Sequence, residues 1–175
     1  MDGSVHNLIN EYEINAYTIM IKPKRIGDRV YSEILESEEE FISTLKPIEI
    51  IKNSCDYFGC QYDGRRGGTR SLTGYTHKAP IAIEPSSSIY FFPTTSPDKE
   101  SCVWFAQSHI ASFKKKSPFE TTITFRNKKS TEINVSYSSF ENQLSRTSIL
   151  KLTLDNRIAE VGTKYSPRQT TYFPD

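Results

Sequence analysis

Apolar and polar residues alternate in short runs along most of the chain, and two stretches instead keep a helical spacing. Residues 17–22 and 29–36 are rich in β-branched and aromatic side chains. The PKRIGD segment between them carries Pro23 and Gly27, which predicts a hairpin-like pair of strands. Residues 81–84 and 89–92 predict two further short strands, each followed by a proline, Pro85 or Pro93, that cannot donate to a ladder. Residues 102–105, 110–114, 121–125 and 131–135 continue this strand-rich half, with 94–101 as an exposed loop and Asn127, Lys128 and Lys129 as a hairpin turn.

Helix is predicted over 47–58. Ile48, Ile51, Cys55 and Phe58 fall on one face, Pro47 suits the first turn and Gly59 stands where a C-terminal cap belongs. A longer helix is predicted over 139–158, where Phe140, Leu144, Thr147, Lys151, Leu154 and Ile158 trace a stripe behind an S-x-x-E capping box of Ser138 and Glu141. The expected class is therefore α+β: a single domain, mainly antiparallel β as a twisted sheet or partly closed barrel, with helices near 47–58 and 139–158. The expected organisation is a flexible tail over 1–11, one domain over 12–160 and an extended C-terminal segment over 161–175.

Composition narrows the function classes more than it changes the fold. The 175 residues suffice for one good core, and 36% hydrophobic with 25% charged residues is ordinary for a folded chain. A formal net charge of +1 means that attraction to a polyanion must come from a local patch. Three cysteines, Cys55, Cys60 and Cys102, with His6, His77 and His109 do not make a zinc pattern, so no metal or cofactor is expected. The N-terminus has no basic region followed by an apolar run, and no window approaches a membrane span, which points to a cytoplasmic protein with reduced thiols.

The stretch 64–78, GRRGGTRSLTGYTHK, concentrates the candidate chemistry. It reads as a loop in which Arg65, Arg66, Arg70, His77 and Lys78 alternate with Gly64, Gly67, Gly68 and Gly74. Guanidinium groups bind phosphate oxygens bidentately, and glycines let a backbone approach its ligand closely. A nucleotide cradle is disfavoured, because the Walker order of glycines and lysine is absent and a predicted helix precedes the stretch in place of a strand. Two readings stay open on the residues alone: contact with a nucleic acid, or a solvated turn whose arginines pair with the acidic residues of 33–40.

Other clusters carry weaker signals. Lys114, Lys115 and Lys116, with Arg126, Lys128 and Lys129 at the next turn, either extend a positive stripe or discourage edge pairing. Glu33, Glu36 and Glu38 to Glu40 read as a solvated turn, since no second acidic cluster completes a catalytic pair. Cys55 falls on an apolar helix face, as a core thiol does, and no nucleophile elbow or comparable signature occurs, so an enzyme is not expected. Phe91, Phe92, Trp104, Phe105 and Phe113 read as core more readily than as stacking platforms for bases.

Several separated blocks also resemble a known family. LKPIEIIKNSCDYFG, YDGRRGGTR, THKAPIAIEP, IYFFPT and SYSSFENQLSRT, spread over 12–158, are similar to the ComK family of bacterial competence transcription factors. The resemblance implies a cytoplasmic activator of DNA-uptake genes that binds A-tract and T-tract boxes, largely through the minor groove, as a dimer or a pair of dimers. It implies DNA contacts at Arg65, Arg66, Arg70, His77, Lys78 and Arg146. As protein partners it implies RNA polymerase and a MecA-type adaptor that delivers the chain to the ClpC protease. The family's adaptor-binding segment is matched loosely by Tyr172, Phe173 and Pro174. An alternative, a protein-interaction module bound by the adaptor and without activating function, rests on the end of the chain at Asp175, where family members continue into a helical tail.

Overall fold

Phe91 and Phe92 are consecutive, fully buried, and belong to two different hydrophobic clusters. Successive side chains of a strand point to opposite faces, so such a pair requires a sheet covered on both sides. The structure, a computed structural model, describes residues 7–163. Its larger sheet holds β1 (Asn7–Ile9), β2 (Thr18–Ile26), β3 (Arg29–Glu36), β4 (Glu40–Ser43), β5 (Ile81–Glu84), β6 (Ile89–Pro93) and β7 (Trp104–Ala106). The order is β1-β4-β3-β2-β7-β6-β5, and every pairing is antiparallel except β1 with β4. A second, antiparallel sheet is β10-β9-β8, built from β8 (Ile110–Ser117), β9 (Glu120–Phe125) and β10 (Ser130–Ile133). With helices α1 (Pro47–Tyr57), α2 (Tyr62–Thr73) and α3 (Tyr137–Thr163), the class is α+β.

On one face of the larger sheet Ile21, Ile34, Ile81, Phe91 and Trp104 pack with Ile50, Ile51 and Cys55 of α1 and Tyr62 of α2. On the other face Phe92 and Phe105 meet Ile123 and Phe125 of the small sheet and Phe140 of α3. Phe140 lies edge-on to both Phe92 and Phe105, at 5.5 and 5.6 Å between ring centres. Each fully buried ring contributes about 1.5–3 kcal/mol over an exposed one. A third cluster ties Leu72 of α2 and Leu150 and Leu154 of α3 to Ala82 and Tyr90.

Local chemistry explains where the elements begin and end. Pro47 opens α1, the Glu49 carboxylate accepts the Lys46 backbone N–H at 2.7 Å, and Gly59 leaves the helix at φ +76°. The predicted PKRIGD connection is shorter than expected: β2 runs through Pro23 to Ile26, and the turn is Gly27 and Asp28. Strand β7 pairs with β2 only at Met20 and Ile21, so Pro23 lies where β3 is the sole sheet neighbour. Within the stretch 1–11 expected as a tail, Asn7–Ile9 instead adds to β4 in parallel and Ile9 packs on the core. Helix α3 starts two residues before its predicted first residue. Ser136, and not Ser138, supplies the cap, its Oγ accepting the Ser139 N–H at 3.3 Å, and the helix continues past 158 into the segment expected to be extended. Among the described residues no helix is long and apolar enough to cross a membrane.

Candidate nucleic-acid interface

The stretch expected as a glycine-rich loop is, over its first ten residues, part of helix α2. Three glycines in a helix interior each cost about 1 kcal/mol against Ala, so propensity alone argues for a loop. Tertiary burial overrides it. Tyr62 and Thr69, two turns apart, are buried. Leu72 packs with Leu150, the Thr69 hydroxyl donates to the Pro80 carbonyl at 2.6 Å, and Asp63 and Arg70 sit at the helix ends where their charges suit the dipole. Gly74, at φ +79°, closes the helix with a backbone bond to Arg70 at 2.8 Å.

The glycines gather on one side. Gly64, Gly67, Gly68 and Ser71 recur at three- and four-residue spacing and form a face without long side chains. A Cβ added at Gly67 or Gly68 would meet nothing within 4 Å, so packing inside the chain does not require either glycine. Arg66 and Arg70, one turn apart, flank this face and are exposed. With Asp63, Gly67, Tyr75 and Thr76 they line a surface depression of about 300 Å³. Asp63 holds Arg66 at 3.4 Å, an exposed pair that polyanion oxygens and salt both compete with.

Arg65 points elsewhere. It is half-buried, its Nε is sealed from solvent without a partner, and its charge acts on Cys55 and Tyr90 inside the fold. The alternative in which the 64–78 arginines pair with the 33–40 acids does not form. Glu33 faces Lys24, Glu40 faces Lys129, and Glu36 accepts from Tyr12 and Asn15.

The rest of the candidate segment is a short connection held by α3. The Gln143 side chain, 1% exposed, donates to the carbonyls of Lys78 at 2.9 Å and Pro93 at 2.8 Å. Its own oxygen accepts from Arg146 at 2.8 Å. Arg146 also donates to the His77 carbonyl and lies over the Tyr75 ring. Burial pushes its pKa down, and an arginine stays cationic regardless. Arg146 is thus spent on the protein's own backbone. His77 and Lys78 line a second depression, of about 250 Å³, that shares Asp63, Arg66 and Thr76 with the first, and Lys78 is at φ +48°. Gln143 and Tyr75 escaped the sequence reading. The signal for Gln143 was its place on the predicted helix beside the Phe140–Thr147 stripe, three positions before Arg146.

The second basic cluster lies in another layer. Lys114, Lys115 and Lys116 are on β8, whose sheet packs on the opposite face of the larger sheet from Tyr62. Lys116 is paired with Glu132 and Glu120, Lys129 with Glu40, and Arg126 Nε donates to the Ser108 carbonyl at 2.7 Å. These residues do not extend the Arg66–Arg70 surface. Cys55 and Cys102 are core thiols, that of Cys55 pushed up to about 11 by burial. Among the described residues no three His, Cys, Asp or Glu side chains cluster as a metal site needs. Tyr172, Phe173 and Pro174 lie outside the described residues.

Residues 9–159 match a family model described as ComK protein. The competence transcription factor of Bacillus subtilis (strain 168) is 39% identical over 150 residues, which cover 86% of this chain and 78% of that protein. No solved structure matches the chain. The match spans α1, α2, the 74–78 connection and nearly all of α3, and on that extent the chain belongs to the ComK family.

Proposed function

We propose that the chain is a DNA-binding transcriptional activator of competence genes, and not an enzyme, that reads AT-rich promoter boxes through the minor groove as a dimer or a pair of dimers. The observation that carries this reading is the outward surface of α2, where Arg66 and Arg70 border a helix face made of glycines that the fold does not need. A helix stripped of side chains on one side brings its backbone close to a phosphate-sugar strand, while arginines at its flank reach a narrow A-tract groove, whose negative potential favours them. His77 and Lys78 serve as supporting contacts. Arg65 and Arg146 act as positioning residues that fix α2 and the 74–78 connection. The relative's name, competence transcription factor, supports the same reading, which carries RNA polymerase and a MecA-type adaptor with ClpC as its protein partners.

The test is fluorescence anisotropy of the full chain with A-tract and mixed-sequence duplexes at two salt concentrations. The double change Arg66→Ala, Arg70→Ala lowers affinity for both duplexes, removes the preference for the A-tract, and reduces the salt slope by about two. Unchanged affinity in the double variant overturns the assignment of this surface.

A further inference from the structure

Helix α1 ends in a closure that brings two cysteines together. Gly59, at φ +76°, turns the chain so that the Cys60 N–H donates to the Cys55 carbonyl at 3.0 Å and the Gly59 N–H to that of Asp56 at 2.9 Å. These two bonds make a Schellman motif, in which the side chains at either end of the longer bond come into contact. Here both are thiols. With standard backbone dimensions that bond keeps the two Cα atoms under about 7 Å apart, the range a disulfide spans. The Cys55 thiol accordingly feels the charge of Cys60.

The two thiols differ in access. Cys55 is fully buried on the core face of α1, whereas Cys60 is half-buried, with its Sγ 3.7 Å from where a Cβ on Gly64 of α2 would stand. An oxidant therefore meets Cys60 first. Arg65, on the first turn and a half of α2, adds a positive charge that favours the Cys55 thiolate against the burial that opposes it. The third thiol, Cys102, is buried and donates to the Thr95 carbonyl at 3.6 Å.

We infer that Cys55 and Cys60 form a redox-sensitive dithiol that hydrogen peroxide converts to an intramolecular disulfide. The Cys60 thiolate attacks one peroxide oxygen, the O–O bond breaks, and the departing hydroxide takes up the thiol proton as water. Cys60 is then a sulfenic acid. The Cys55 sulfur attacks it, the S–O bond breaks, and hydroxide leaves with the Cys55 proton as a second water. One S–S bond has formed, and two thiols have given two electrons to one peroxide. Burial keeps Cys55 away from the oxidant and beside the sulfur it must attack. The bond ties the end of α1 to the residue before Gln61, the cap of α2. Nothing in this chemistry depends on what α2 binds.

The full chain treated with hydrogen peroxide should lose two of its three free thiols and two hydrogens of intact mass, and peptide mapping should return a Cys55–Cys60 cross-link. Dithiothreitol should restore all three thiols. Cys60→Ser should slow thiol loss by about tenfold or more, because the two thiols that remain are buried. Cys55→Ala should stop at the Cys60 sulfenic acid, which dimedone traps, and Cys102→Ala should close the disulfide as the parent does. An intact mass that peroxide leaves unchanged in the parent, where no substitution can disturb the fold, overturns the inference. So does a cross-link through Cys102 or between two chains, or a Cys60→Ser variant that loses thiols as fast as the parent.

Discussion

The guanidinium carbon of Arg146 lies 4.3 Å from the centre of the Tyr75 ring, while its Nη2 donates to the His77 carbonyl at 2.9 Å. One side chain of α3 therefore holds two points, Tyr75 and His77, of the segment that leads from Gly74 to Lys78. Arg146→Ala removes a stacked cation and two hydrogen bonds, an expected loss of about 1–3 kcal/mol in a urea titration, and DNA affinity falls with it. Arg146→Lys restores the charge but not the planar fork, so it recovers little of either. A lysine variant equal to the parent in both measurements would show that charge alone matters there.

Asp63 sits 3.4 Å from Arg66 and is the carboxylate nearest the candidate surface in sequence. Removing it frees the guanidinium and takes a negative charge away from an approaching phosphate. Asp63→Asn is expected to raise DNA affinity about two- to fivefold, most at low salt, at a cost of about 0.3–1 kcal/mol to a helix that loses an acid in its first turn. Weaker binding by the Asn variant at low salt would place the DNA elsewhere.

The sequence disclosed what depends on neighbours in sequence and concealed what depends on neighbours in space. Phe91–Phe92 and Trp104–Phe105 announced themselves as strand core, since consecutive large rings fit only a sheet covered on both faces. Phe140, Leu144 and Leu154 marked α3 through their spacing. Helix α2 was hidden because Gly64, Gly67 and Gly68 oppose it, and only its packing against Pro80, Leu150 and the α1 face restores it. Within the candidate site, Arg66 and Arg70 were legible as basic residues. Arg65 and Arg146 look identical to them in sequence, and their inward roles follow from Tyr90 and Tyr75, which distant elements bring alongside. The Gln143 bracket joins residues 65 apart, beyond the reach of any local pattern.

Tyr90 gives the fold an alkaline limit. Burial, and next the charge of Asp155, push its pKa up to about 12, and its hydroxyl has no hydrogen-bond partner. A raised folded-state pKa means that the unfolded chain loses its proton first, so stability is intact below about pH 10 and falls as pH rises toward about 12. Tyr62, also pushed up to about 12, adds to the same decline, and Cys55, raised from 9.0 to about 11, contributes an earlier one that begins near pH 9. Tyr90→Phe removes an unsatisfied buried oxygen and keeps the ring near Lys151. It should be neutral or stabilising by about 1 kcal/mol at pH 7 and should shallow the loss between pH 10 and 12. Urea midpoints across that range decide it, and an undiminished slope in the Phe variant would assign the decline to the other groups.

Gly67 and Gly68 separate stability from function. Both are helical, and a Cβ at either would enter open space, so Gly67→Ala and Gly68→Ala should each stabilise the chain by about 0.5–1 kcal/mol through helix propensity. If the bare face of α2 lies against a phosphate-sugar backbone, the same methyl groups hold the helix off its ligand, and DNA affinity should fall although no charge has changed. The salt slope should stay near the parent value, because Arg66 and Arg70 are intact; that distinguishes lost fit from lost phosphate contacts. The paired measurements are thermal midpoint and anisotropy on one protein preparation. Alanine variants that gain stability and bind the A-tract duplex as tightly as the parent would mean that this face never meets DNA, and would move the interface to the Arg66 side of the helix.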